Sequence, residues 1–179
     1  MDNNAVGKKT RRSIRLRGYD YSQPGNYFIT ICTYQKRKLL GTVVGHKAIL
    51  NPAGEAVRVC WFDLPRRFPL VELVELIVMP NHVHAVIGLR QPSRATPRGA
   101  ASSAPTAESS VNYPSIGQVL RAFKSISAIK INRLLGRTSE HVWQRNFYEH
   151  IIRSPREFEQ AQKYIRENPI NWDSDPENA

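Results

Sequence analysis

Residues 70–89, LVELVELIVMPNHVHAVIGL, constrain the fold more than any other stretch of the chain. Two apolar runs flank Met79-Pro80-Asn81-His82, where proline at the second position and asparagine at the third suit a tight β-turn. The pattern predicts an antiparallel hairpin with strands at about 72–79 and 82–89. Strand side chains alternate, so His82 and His84 share one face, roughly 6–7 Å apart, while Val83, Ala85 and Ile87 face a core. Imidazoles at i and i+2 can converge on one divalent cation, each through one ring nitrogen. Two hydrogen-bonded or surface histidines would leave the same pattern, and the strand alone does not choose between them.

The rest of the chain supplies elements to pack on that hairpin. Gln23-Pro24-Gly25-Asn26 marks a turn, after which residues 27–34 read as a strand. A possible short edge strand near 42–44 precedes a helix that starts near Pro52 and carries Ala56, Val57, Cys60, Trp61 and Leu64 at helical spacing. Pro65 is expected to stop it. Residues 91–114 gather Pro92, Pro97, Pro105 and Pro114 among Ser, Ala and Thr, and read as a flexible insertion. Ser115-Ile116-Gly117-Gln118 is a capping-box pattern. It opens a helix with a core stripe of Ile116, Leu120, Phe123, Ile126, Ile129 and Leu134, and Gly136 as its stop. Irregular chain then leads to a short strand near 147–153. Ser154-Pro155-Arg156-Glu157 opens the last helix, which Pro169 ends. The order β-α-β-β-α-β-α predicts an α+β fold, a ferredoxin- or RRM-like antiparallel β-sheet with helices packed on it.

A chain of 179 residues is long enough for one domain with a real core. The apolar runs are short, and the basic N-terminus is not followed by an apolar signal region, so no membrane partner is expected. Cys32 and Cys60 lack CxxC spacing, which predicts reduced thiols in a cytoplasmic protein. Net charge says more: at +11, a polyanion is the natural partner. Lys8, Lys9, Arg11, Arg12, Arg15 and Arg17 concentrate in a basic arm, residues 1–18. Such an arm does not distinguish DNA from RNA or from an acidic protein surface. The expected organisation is this arm, a single domain over 19–172 containing the insertion, and a tail at 173–179.

On the last helix, Tyr164 and Asn168 stand four residues apart and therefore share a face, beside the apolar stripe of Phe158, Ala161 and Ile165. A boundary core tyrosine and a helix-end cap before Pro169 would look the same.

The segments GYDYSQPGNYFITICTY, VMPNHVHAVIGL, FKS at 123–125 and VWQRNFYEHIIRSPREFEQAQKYIRENP, in that order, resemble the single-tyrosine HUH transposases. Among these, the REP-associated tyrosine transposases are the nearest match. The resemblance runs from Arg12 to Trp172, interrupted by the insertion. It implies a HUH motif on a central strand and a C-terminal helix carrying the tyrosine. It implies that His82 and His84 bind a divalent cation, Mg2+ or Mn2+, that Tyr164 is the nucleophile, and that Asn168 is a third, amide-type ligand. Tyr148 is the rival nucleophile, but it lies in a predicted strand and lacks an amide at i+4. His150 and Gln144 belong to the recurring pattern as possible site support. Arg11, Arg12, Arg15, Arg17 and Lys124 are expected DNA contacts. Tyr19/Tyr21 and Tyr27/Phe28 could stack on bases, although the second pair alternates within a strand and one member must be core.

The implied activity is metal-dependent cleavage and rejoining of single-stranded DNA near hairpin (REP-like) sequences, through a 5′-phosphotyrosine intermediate. The protein would act in DNA transposition as a monomer or homodimer, in the cytoplasm with the nucleoid. Two other classes stay open: a catalytically inactive hairpin nucleic-acid-binding domain of the same fold, and a metal-dependent hydrolase that uses water while Tyr164 is structural.

Overall fold

The computed structural model describes residues 23–91 and 114–178. Arg11, Arg12, Arg15 and Arg17, the pair Tyr19/Tyr21, and all but the ends of the insertion expected at 91–114 lie outside the described residues. In chain order the elements are strand β1 (Gly25–Cys32), strands β2 (Gly41–Val44) and β3 (Lys47–Leu50), helix α1 (Pro52–Phe62), the single turn α2 (Leu64–Arg67), strands β4 (Val71–Val78) and β5 (His82–Leu89), helix α3 (Ile116–Leu134), strand β6 (Tyr148–Ile152) and helix α4 (Pro155–Glu167). The fold is α+β: β4-β5-β1-β6 form one antiparallel sheet, and β2-β3 form a separate hairpin.

The turn expected at Met79-Pro80-Asn81-His82 closes with the Met79 N–H donating to the His82 carbonyl at 2.9 Å. β5 therefore lies between β4 and β1, and its register sets His82 opposite Cys32 and His84 opposite Thr30. One face of the sheet is the core. Tyr27, Ile29 and Ile31 of β1 and Val83, Ala85 and Ile87 of β5 are wholly buried there. α1 and α3 close that face, with Trp61 and Phe123 edge-on at 5.0 Å. An aromatic pair of this kind adds about 1 kcal/mol beyond the area it buries. α1 begins where Asn51 accepts hydrogen bonds from the Ala53 and Gly54 N–H groups.

Three local expectations change. The edge strand at 42–44 has a partner, β3, joined through Gly45 and His46, both at positive φ (54° and 62°). That backbone is typical of a two-residue hairpin turn, and only its glycine is the usual signature. Pro65 sits in the first turn of α2 and does not merely stop α1, because the missing N–H is harmless there. In α3 the buried stripe is Ile116, Val119, Leu120, Phe123, Ser127 and Ile131, whereas Ile129 and Leu134 are more than half exposed. The buried serine has a reason: the Trp143 indole N–H donates to Ser127 Oγ at 2.9 Å, and a buried tryptophan needs such an acceptor.

The opposite face of the sheet carries His82, His84, Thr30 and Phe28, and α4 packs over it against β4 and β5. Among the described residues, no helix is long and apolar enough to cross a membrane.

Candidate active site

The two histidines are fixed from behind. His84 Nδ1 pairs with Thr30 Oγ1 at 2.8 Å, across the β1–β5 register. His82 Nδ1 pairs with Asn81 Oδ1 at 2.8 Å. The Asn81 amide NH2 donates to the Glu177 carbonyl at 2.6 Å, so its oxygen faces the imidazole and accepts the Nδ1–H. That tautomer leaves the lone pair on His82 Nε2. The two rings stand 4.4 Å apart, and both are buried.

What the rings present inward is unsatisfied. Among the described residues, His82 Nε2, His84 Nε2 and Asn168 Oδ1 are buried without a hydrogen-bond partner. Each such atom costs about 1–3 kcal/mol unless something occupies the space it faces. Two imidazole nitrogens and an amide oxygen suit a divalent cation. His82, His84 and the buried Asp175 also offer ligand atoms that all lie within 4.8 Å of one another, so this group could hold a metal. Asp175 has no signal in the sequence, since it follows α4 at no periodic spacing from the histidines or the tyrosine.

Burial holds both imidazoles neutral, the form that binds metal. His84 is pushed down to about 2 by burial, with His82 adding to the effect. His82 is lowered by burial as well, against the opposing pull of the Asp175 and Glu177 carboxylates.

Tyr164 projects from α4 onto this site, its ring edge-on to His84 at 5.1 Å and to Phe28 at 5.8 Å. Burial raises its phenol above the usual tyrosine range, and the Asp175 and Glu177 carboxylates raise it further. Unaided, it is a weaker nucleophile than a free tyrosine. α4 is placed by its ends and one flank. Ser154 Oγ accepts from the Glu157 N–H at 3.2 Å, and Glu157 returns a bond to the Arg153 N–H at 2.9 Å. Gln162 and Arg166 reach Glu75 of β4 at 3.4 and 3.5 Å.

The rival Tyr148 lies on the sheet-edge strand β6, opposite Thr30, and its ring meets Phe28 at 6.3 Å. Both tyrosines border an open cleft of about 1050 Å³, as do Gln144 and His150. His150 also faces Glu157 at 3.5 Å. Of the expected stacking pair, Tyr27 is core and Phe28 is on the cleft. Lys124, an expected DNA contact, is engaged within the protein. Its ammonium donates to the carbonyls of Gln144 and Arg145 at 2.5 and 2.9 Å, and so ties α3 to the chain leading into β6. Cys32 also borders the cleft, its thiol donating to Glu177 at 3.2 Å and pushed up to about 12 by burial and by that carboxylate. It is an inert thiol.

No family model matches the chain. Its fold is shared with a solved REP-associated tyrosine transposase bound to a REP hairpin, which superposes with a TM-score of 0.57 at 20% identity, over 90% of this chain and 74% of that one. In sequence, an uncharacterized protein of Haemophilus influenzae (strain ATCC 51907 / DSM 11121 / KW20 / Rd) is 37% identical over 178 residues, covering 95% of this chain and 94% of its own length. The chain belongs to one family with that protein.

Proposed function

We propose that the protein is a metal-dependent single-stranded DNA endonuclease and strand transferase, cleaving and rejoining DNA near hairpin (REP-like) sequences. The observation that carries this reading is the set of three unpartnered buried atoms, His82 Nε2, His84 Nε2 and Asn168 Oδ1, on the site that Tyr164 overhangs. The hairpin in the structural neighbour supports the substrate class.

His82, His84 and Asn168 would hold the cation, Mg2+ or Mn2+. When bound, it supplies Lewis-acid polarisation of the scissile phosphodiester and lowers the cost of forming phenolate. The three ligands are neutral, so they leave the cation's charge to a phosphate and to the nearby Asp175 carboxylate. Tyr164 Oη then attacks phosphorus: the Oη–P bond forms, the bond to the 3′-oxygen breaks, the phenol proton is lost, and the 3′-oxygen leaves as a hydroxyl. The 5′-phosphotyrosine retains the phosphodiester energy, so attack by a 3′-hydroxyl rejoins DNA and regenerates Tyr164 without ATP. Phe28 and Tyr148 on the cleft wall offer faces for base stacking. The arm at residues 1–18, with Arg11, Arg12, Arg15 and Arg17, would track the backbone of DNA bound to the 19–172 domain. The natural setting is the nucleoid.

The test is a hairpin oligonucleotide with a single-stranded flank, incubated with protein and Mn2+ and resolved on a denaturing gel. Wild type and Tyr148→Phe should form a covalent adduct, and Tyr164→Phe should form none. An adduct that survives Tyr164→Phe but not Tyr148→Phe would reassign the nucleophile. A free 5′-phosphate without adduct would mark a hydrolase, and binding untouched by chelator without cleavage would mark an inactive DNA-binding domain.

A further inference from the structure

Residues 171–178 leave α4 as two short turns and return to the histidines. Trp172 packs on the His82 ring at 6.0 Å, and Asn81 is bonded to Glu177. Asp175, 8% exposed, lies on this returning chain and faces Asn168. Its two oxygens are both engaged. One accepts from the Asn168 side-chain NH2, the other from the Glu177 N–H at 2.6 Å.

That arrangement decides which way an amide faces. An asparagine presents an oxygen at one end and two N–H groups at the other, and only the partners choose between them. A carboxylate accepts and cannot donate, so Asp175 fixes the Asn168 NH2 toward itself. Asn168 Oδ1 is thereby turned away from Asp175, with the Asn168 side chain beside His82, and it stays without a partner of its own. The same device operates once more: the Glu177 carbonyl takes the Asn81 NH2, which turns Asn81 Oδ1 onto His82 Nδ1.

We infer that Asp175 is a positioning residue of the metal centre: it acts through Asn168, orienting that amide so that its oxygen is a ligand, and does not itself bind the cation. This rests on the reading of Asn168 as a metal ligand. Although Asp175 is close enough to the histidines to compete for the ion, its oxygens already serve two N–H groups, whereas the Asn168 oxygen serves none. Groups that hold a ligand in place typically change metal affinity by about 10–100-fold when removed.

The experiment is Mn2+ titration of the full chain by calorimetry, for wild type, Asn168→Ala, Asp175→Ala, Asp175→Asn and the double variant Asn168→Ala/Asp175→Ala. Asp175→Ala should weaken Mn2+ by about 10-fold or more. Asp175→Asn should lose less than Asp175→Ala, because its amide oxygen can still accept from Asn168 while its NH2 gives up the bond to the Glu177 N–H. In the Asn168→Ala background, Asp175→Ala should add nothing, as two residues acting through one contact are non-additive. Asp175→Ser, too short to reach the amide, replaces the alanine variant should that fail to fold. Wild-type affinity in Asp175→Ala overturns the inference, and so does a loss in Asp175→Asn as deep as in Asp175→Ala, which would make the carboxylate a ligand. Wild-type affinity in Asn168→Ala overturns instead the assignment of Asn168 as ligand, and the inference with it.

Discussion

His84 gives the site a pH dependence whose sign follows from burial. In the fold its imidazole is pushed down to about 2 from an ordinary 6.5. Between those values the unfolded chain binds a proton that the folded site refuses. The stability is therefore fully present above about pH 6.5 and drains as pH falls, by about 1.4 kcal/mol per pH unit for one such group. Urea unfolding of the metal-free protein should lose about 2 kcal/mol between pH 6.5 and pH 5 from His84 alone, with His82 adding in the same direction. Replacing His84→Gln should flatten that dependence. An unchanged slope in the variant would mean that His84 is protonated in the fold. At this scale the histidine pair was legible because a strand repeats every two residues, whereas the i, i+4 spacing put Asn168 on the Tyr164 face without separating a site residue from a helix cap. Asp175 was not legible: its approach to Asn168 depends on two irregular turns, which leave no period in the sequence.

Elements that pack on one side only were read well, and elements whose exposure depends on a distant partner were not. The sheet strands were legible because their core faces alternate, as Ile29 and Ile31 face Ala85 and Val83. The orientation of α3 was not, since burying Ser127 in preference to Ile129 reflects the need of the Trp143 indole for an acceptor. The same contrast separates two substitutions. Ser154→Ala removes one capping bond at the start of α4, most of whose surface is exposed, and should cost about 1 kcal/mol. Its signature is faster amide exchange confined to the first turn of α4. Gly54→Ala in α1 places a methyl 2.1 Å from the Leu40 carbonyl oxygen, so backbone must move. It should cost more, up to about 3 kcal/mol, with exchange rising across α1 and the neighbouring chain. Chemical denaturation of both variants checks the order, and a larger loss for Ser154→Ala would reverse it.

For the whole molecule, the order of elements predicted an antiparallel sheet with helices packed on it, but not on which face each helix lies, nor whose histidines α4 covers. A helix carrying a nucleophile can serve its own sheet or that of a second copy, and the two use the same sequence. Here α4 rests on its own β4 through Glu75, with Gln162 and Arg166 as the contacts, and Tyr164 meets its own His84. Residues 171–178 then tie the end of α4 back to Asn81 and His82 of the same chain. Lifting α4 onto another copy would break its contacts to Glu75 and pull residues 171–178 away from Asn81 and His82. Attack in cis is therefore the expected mode. Two inactive variants, His84→Ala and Tyr164→Phe, test it when mixed at equal concentration with hairpin DNA and Mn2+. Acting in cis, every molecule in the mixture lacks either the proposed metal site or the proposed nucleophile, and no covalent adduct should form beyond the level of either variant alone. Acting in trans, a mixed pair would unite the intact histidines of one copy with the intact tyrosine of the other, and adduct would reappear at about a quarter to a half of the wild-type yield, as random pairing dictates for a closed dimer.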